Sequence, residues 1–270
     1  MDLGMKGRVA VVTGGGTGIG KAVAAEFAAE GATTYILGRR QEMLDEAAAE
    51  AKDKGVTLIP YALDVLDNAA VEKCVNDIVA AHGRVDIWVN NAGFGYAKMI
   101  EDVEEEDWFK TIDTNLKSTF FVTKTVARQM KKQKYGVFIN AASMAVYMPL
   151  AGNSVYAAAK SGIASFTRTF AAELAPYGIR VLSYSPGMVA TAMSKRHIAR
   201  DYDKLVNTMA LHRLGTPEDL AKPIVFFASE AAGYMTGIDI PLAGGRYCSQ
   251  NNEDMWVKAG ADAIVPEKVI

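Results

Sequence analysis

Arg8-Val-Ala-Val-Val-Thr13-Gly14-Gly-Gly-Thr17-Gly18-Ile19-Gly20 is the stretch that decides the fold. Its apolar, valine-rich run reads as a buried strand, and the glycines break it. Ile19, Val23 and Phe27 then recur at helical spacing. Strand, glycine turn and helix in that order form the setting in which a loop cradles a dinucleotide. Glycines let backbone amides approach a pyrophosphate, and the helix N-terminus attracts it. The spacing, with Gly14, Gly18 and Gly20 at its corners, is G-x-x-x-G-x-G rather than G-x-G-x-x-G.

Working outward, strands and helices keep alternating. Thr33 to Gly38 reads as a second strand, followed by Arg39-Arg40 and a helix from about residue 41. An acidic residue at this strand end commonly binds the ribose hydroxyls of NAD, but here the place holds Gly38. Two arginines at a helix N-terminus oppose its dipole, and a 2′-phosphate would compensate them. NADP(H) is the expected cofactor. Val56 to Leu63 reads as a third strand ending at Asp64-Val65, where a carboxylate could meet an adenine edge. Val85 to Asn90 reads as a fourth, ending in Asn90-Asn91-Ala92-Gly93. Residues 101–135 read as a long helical region, broken at most once. Its apolar face is expected at Phe109, Ile112, Leu116, Phe120 and Phe121, with Asn115 inside that face. A fifth strand runs from Gly136 towards Ser143, and a sixth from Ile179 to Ser185, before Pro186-Gly187. A last short strand, Ile238 to Leu242, is expected at a sheet edge because Pro241 cannot donate to a ladder. This alternation predicts an α/β chain with parallel strands joined by right-handed crossovers. Ligands of such sheets bind at the carboxyl ends of the strands. Thr13, Gly38, Asp64, Asn90, Ser143 and Pro186 all fall there.

The chemistry concentrates between Ser143 and Lys160. Tyr156 and Lys160 are four apart in an alanine-rich segment, on one face of a helix that Asn153-Ser154 can cap. A free tyrosine has a pKa of about 10, and bringing it to ~7 takes roughly 4 kcal/mol. One cation about 4 Å away at an effective dielectric of ~20 supplies that much, and Lys160 is the candidate. Ser143 could hold a substrate carbonyl while Tyr156 gives or takes the proton.

Composition sets the bounds. The chain has 270 residues, half of them apolar and 22% charged, with a net charge of −2. That describes a globular protein with no basic excess for nucleic acid or an anionic membrane. Two cysteines make no disulfide framework, and the start resembles no signal peptide, so the cytoplasm is expected. The three histidines are scattered, leaving no support for a metal. Without an internal linker, residues 1–245 read as one domain. Residues 188–215 form a lid beyond the strand ends. Thr216-Pro217 starts a helix that Pro223 should kink or shorten. The extension 246–270, with Trp256, Val257, Ile264 and Val265, is expected to dock on a neighbouring subunit or on the lid.

With these residues in view, the chain resembles the short-chain dehydrogenases/reductases over roughly residues 5–245. The resemblance rests on Thr13-Gly14-x-x-x-Gly18-Ile19-Gly20, Asn90-Asn91-Ala92-Gly93, Asn115, Ser143, Tyr156, Lys160, Pro186-Gly187 and Thr191. It implies a doubly wound, Rossmann-like parallel sheet of about seven strands with helices on both faces. It also implies ketone–alcohol interconversion and a homotetramer paired through the helices around Asn115 and Tyr156. Tyr156 matches the acid/base and Ser143 the residue that orients the substrate oxygen. Lys160 would also hold the nicotinamide ribose, and Asn115 a water linking Lys160 to solvent. The cofactor would lie against Gly14, Thr17, Gly18, Ile19 and Gly20, then Arg39 and Arg40, Asp64 and Val65. Asn91, Ala92 and Gly93, then Pro186, Gly187, Val189 and Thr191, complete its groove.

Phe94, Tyr96, Met144, Tyr147, Met148, Met188 and Met193 are expected to border the substrate, and methionines suit a bulky apolar ligand. A hydrophobic ketone such as a steroid is the first expectation and a 3-oxoacyl thioester on a carrier protein the second. Ala172 stands where carrier-protein reductases tend to show a basic residue. A sugar or polyol ranks third. A non-catalytic NADP sensor on the same fold is the alternative of another class.

Overall fold

Seven strands hydrogen-bond into one sheet: β1 (Val9–Thr13), β2 (Thr33–Gly38), β3 (Leu58–Ala62), β4 (Ile87–Asn90), β5 (Gly136–Ala141), β6 (Ile179–Pro186) and β7 (Asp239–Leu242). The computed structural model describes residues 2–246 and 248–269. Strand order is β3-β2-β1-β4-β5-β6-β7, and every neighbouring pair is parallel. The order reverses between β1 and β4, which opens a crevice at their carboxyl ends. The glycine loop leaves β1 at that point. The strands are parallel, as the alternation predicted, and the sheet is the doubly wound, Rossmann-like architecture that the resemblance implied.

Alternation along each strand feeds two cores. Ala10, Val12, Ile36, Val89, Ile139 and Leu182 pack with α1 (Gly18–Ala29), α2 (Gln41–Asp53) and α8 (Pro217–Ala228) on one face. Val9, Val11, Leu37, Trp88, Phe138 and Val181 pack with α3 (Asn68–His82), α5 (Ser118–Gln133) and α6 (Ser154–Leu174) on the other. Both faces are covered, so the strands read as continuous apolar runs. Pro60 in β3 and Pro241 in β7 lie on the two edge strands, where a missing donor costs least.

Three expectations need correction. Pro223 lies inside α8, which runs on to Ala228 instead of stopping there. The long helical region is interrupted once, as expected, by a π-helical turn at Asp113–Lys117 between α4 (Glu105–Ile112) and α5. Its proposed apolar face is not the core face, since Phe109 and Phe120 are 53% and 37% exposed. The buried face is Thr111, Asn115, Thr119, Val122, Val126 and Met130. Finally, Asn153 precedes α6 without capping it by a side-chain bond. With its amide turned to satisfy both ends, it donates instead to the Tyr96 carbonyl at 2.7 Å.

The segment 188–215, expected to be a lid, carries α7 (Lys195–Asn207) and a small core of Ile198, Leu205, Val206, Met209 and Leu214. The C-terminal extension docks on it. From α9 (Asn252–Ala259), Trp256 donates to the Ala210 carbonyl at 3.0 Å and stacks on His212 at 4.5 Å. Asn252, 8% exposed, donates to the Thr208 carbonyl at 2.9 Å. Val269 packs against the lid core. The extension thus lies against the chain's own segment 208–214.

Candidate active site

The end of β5 and the start of α6 meet at the carboxyl edge of the sheet. Ser143 opens a short turn over Met144–Val146, its Oγ accepting from the Ala145 amide at 3.1 Å. Ser185 Oγ lies 3.0 Å from the Ser143 carbonyl. Because α6 begins at Ser154, Tyr156 and Lys160 occupy its first two turns on one face. Lys160 is 5% exposed, and its ammonium donates to the Ala141 carbonyl at 2.7 Å. The same nitrogen lies 5.8 Å from the centre of the Tyr156 ring.

Asn115 comes from the π-helical turn and is 1% exposed. Its Nδ2 donates to the carbonyls of Phe94 (3.2 Å) and Thr111 (3.1 Å), and its Oδ1 accepts from the Phe94 amide (3.2 Å). It is therefore a satisfied asparagine and also a neighbour of the site. A Cβ at Gly93 would lie 2.7 Å from Asn115 Oδ1 and 3.6 Å from Lys160 Nζ. Only glycine lets the loop pass so close to both.

The electrostatics depart from the sequence expectation. Burial pushes the Tyr156 phenol up from its ordinary value of 10.0, while the Ser143 hydroxyl pulls the other way. Burial also pushes Lys160 down from 10.5 to about 8. The ammonium is directed at a backbone carbonyl, and desolvation outweighs attraction across that distance. Lys160 alone therefore does not make the phenol acidic. The pair is a half-buried acid beside a still largely protonated amine. A carbonyl oxygen placed between Ser143 and Tyr156 could accept hydrogen bonds from both hydroxyls, the geometry of general acid catalysis.

Residues named for a cofactor line the crevice beside this cluster. Thr17 precedes α1, whose first turn has no side-chain cap and no acidic residue, leaving its amides open to an anion. A Cβ at Gly20 would lie 2.5 Å from Asn91 Nδ2, so the loop and the β4 end are in close contact. Ile19 packs on the first core face and Val65 on the second. Asp64 holds a turn, its Oδ1 accepting from the Leu66 amide at 3.0 Å. Among the described residues, neither Arg39 nor Arg40 has a side-chain hydrogen bond or ion pair, and both are exposed. Across the crevice, the Gly187 amide donates to the Leu242 carbonyl at 3.0 Å, and Val189 pairs with Gly215. Thr191 packs over Gly18 and Met193 over Gly95. These residues fit a bound dinucleotide. The Ala92 amide donates to Thr13 Oγ1 at 3.0 Å, Gly93 passes beside Asn115 and Lys160, and Pro186 is in register with Leu242 of β7.

The expected substrate border divides. Met148 and Met193 are 58% and 66% exposed, whereas Met144 is buried at 4% and serves the core. Met188 packs against the lid core. The Tyr147 hydroxyl donates to Asp239 at 2.7 Å, a carboxylate that also accepts from Ser183 and Ser185 at 2.6 Å each. That cluster was missed, and so were the roles of Thr13 and Tyr184 described below. Ser183-Tyr184-Ser185 inside a buried strand was the available signal, because buried polar groups need partners.

Comparison with known proteins gives the same answer as the geometry. The family described as short chain dehydrogenase matches residues 8–201. The 3-oxoacyl-[acyl-carrier-protein] reductase FabG of Thermotoga maritima is 36% identical over 241 residues, 89% of this chain and 98% of that protein. The (2S)-[(R)-hydroxy(phenyl)methyl]succinyl-CoA dehydrogenase subunit BbsD of Thauera aromatica is 35% identical, over 90% of this chain and 98% of its own length. A solved structure described as a "putative NAD(P) dependent gluconate 5-dehydrogenase" from Beutenbergia cavernae, with NADP bound at low occupancy, superposes with a TM-score of 0.86, at 32% identity, 92% of this chain and 100% of that one. This chain belongs to the short-chain dehydrogenases/reductases, oxidoreductases that act between CH–OH and C=O with NAD(P)(H).

Proposed function

We propose that the chain reduces the 3-oxo group of an acyl thioester, carried by a carrier protein or coenzyme A, with NADPH. The observation that carries the chemistry is the Ser143–Tyr156–Lys160 cluster, half-buried at its two hydroxyl residues and buried at the lysine, beside a glycine loop. Two relatives of nearly equal length, a carrier-protein reductase and a [hydroxy(phenyl)methyl]succinyl-CoA dehydrogenase subunit, support the thioester class. An acyl chain would meet Met99, Met148, Leu150 and Met193, which are 48–66% exposed. The hydrophobic ketone expected first takes second place, favoured by that apolar rim alone.

In this reading the nicotinamide supplies the hydride when bound. Ser143 and Tyr156 hold the substrate carbonyl, and the Tyr156 phenol gives its proton to the oxygen as charge develops there. Burial keeps that phenol protonated at neutral pH, as a proton donor requires. Lys160 orients the nucleotide side of the cluster, and Asn115 fixes the loop that carries Gly93. The unpaired guanidinium groups of Arg39 and Arg40 support a 2′-phosphate, hence NADP(H). Exposed Trp108, Phe109 and Phe120 on α4 and α5 support assembly through those helices, as in a homotetramer. No helix among the described residues is long and apolar enough to cross a membrane, which agrees with a cytoplasmic enzyme.

The test is oxidation of NADPH, followed by absorbance, with acetoacetyl-CoA, a steroid ketone and a keto sugar in parallel. Turnover should be greatest with the thioester. A preference for the steroid would move the substrate to the second reading, and no turnover with any ketone would overturn both.

A further inference from the structure

We infer that Tyr184 is a positioning residue for the dinucleotide loop, a strut that reaches from β6 to Asn91 and through it fixes the backbone of Thr13 and Gly14. This rests on the reading that the glycine loop binds a nicotinamide nucleotide.

Tyr184 is fully buried. Its hydroxyl donates to Asn91 Oδ1 at 2.8 Å. That bond sets the orientation of the amide, because its oxygen is engaged and its nitrogen must face the other way. Asn91 Nδ2 donates to the Thr13 carbonyl at 2.9 Å and lies 3.4 Å from that of Gly14. The same loop is tied again at Thr13, whose Oγ1 accepts from the Asn91 and Ala92 amides at 2.9 and 3.0 Å. Thr13 Oγ1 in turn lies 3.2 Å from the Val89 carbonyl, to which it donates. The ends of β1 and β4 are thus knotted at the crevice where strand order reverses.

The knot bears on anion binding. Carbonyls held against Asn91 cannot turn into the crevice, where their partial negative charge would repel a pyrophosphate. The loop's amides are left to face it. Tyr184 reaches this place from two strands away, roughly 10 Å at about 4.8 Å per strand. The strand between offers Ala141 as its register partner, so only a methyl group lies on that face. Burial pushes the Tyr184 phenol well above its ordinary value, so it remains a donor across the working pH range. Removing the hydroxyl would take from Asn91 Oδ1 its donor and leave the amide free to turn.

The experiment titrates NADPH and NADH into wild-type protein and Y184F, following protein fluorescence, with melting temperature and kcat measured alongside. Y184F should weaken both nucleotides by the same factor, about five- to thirtyfold, while kcat at saturating nucleotide stays within about twofold. In an N91A background Y184F should add little, because both changes break one strut. Should Y184F not fold, N91A carries the test from the other end and must weaken both nucleotides. A Y184F protein that melts lower yet binds both nucleotides like wild type would overturn the strut and leave a packing role. Weakened binding of NADPH alone would overturn it too, because the strut meets the pyrophosphate loop and not the ribose phosphate. Wild-type protein that binds neither nucleotide would sink the loop reading itself, and the strut with it.

Discussion

Replacing Lys160 by methionine should change the pH dependence of stability in a direction that depends on the buried charge. In the folded chain Lys160 releases its proton at about 8, against 10.5 for the free side chain. A tenfold difference in proton affinity is worth about 1.4 kcal/mol, so at pH 7 burying the ammonium costs roughly 3 kcal/mol. The sign follows from proton counts. Between pH 8 and 10.5 the unfolded chain binds more protons at this lysine than the folded one. Wild-type stability therefore rises with pH through that window, and below it the full cost is present. At pH 9.5 the remaining cost is about 1.4 kcal/mol, so about 2 kcal/mol has been recovered. Methionine has no proton to lose, but it leaves the Ala141 carbonyl without its 2.7 Å donor. That loss is about 1–3 kcal/mol and independent of pH, so it cancels when the variant is compared with itself. Urea denaturation of wild type and K160M at pH 7 and 9.5 gives four free energies. The wild-type advantage should grow by about 2 kcal/mol at the higher pH, with other titrations common to both proteins. A difference that stays flat or shrinks would refute the claim that burial dominates at this lysine.

Three further outcomes follow from the site. Tyr156→Phe should fold normally and lose about 10²- to 10⁴-fold in turnover with the preferred ketone, the usual worth of a positioned proton donor; unchanged turnover would remove Tyr156 from the chemistry. Gly93→Ala should lose activity by tenfold or so and melt lower, since its methyl would lie 2.7 Å from Asn115 Oδ1; wild-type values would show that the loop yields freely. Replacing Arg39 and Arg40 by alanine should weaken NADPH by about tenfold or more, leave NADH within twofold, and flatten the salt dependence of NADPH binding; equal losses for both nucleotides would place the arginines elsewhere.

The sheet was legible because its strands are nearly pure apolar runs separated by small residues, and Pro241 even marked one edge. The helical region around Asn115 was not. Its core face is built from Thr111, Asn115, Thr119 and Thr123, while Phe109 and Phe120 face outward. A search for apolar residues every three to four positions therefore settled on the wrong stripe, and the π-helical turn shifted the phase again. Within the site, spacing alone brought Tyr156 and Lys160 together, but not the direction of their pKa values. Those depend on desolvation and on the Ala141 carbonyl, a backbone atom that no side-chain pattern reports. Tyr184 and Asp239 stayed hidden for a related reason. Each acts on a partner far away in the chain, Asn91 and the Ser183–Ser185 pair, and only strand order makes them neighbours.

The grip of Trp256 and Asn252 on residues 208–212 has a practical side for anyone handling this protein. A purification handle or fluorescent fusion attached beyond α9 would pull on residues 208–212 instead of trailing freely. The same grip means that a substitution at Trp256 or Asn252 would be felt some forty residues away in the chain, at a segment that neither side chain belongs to.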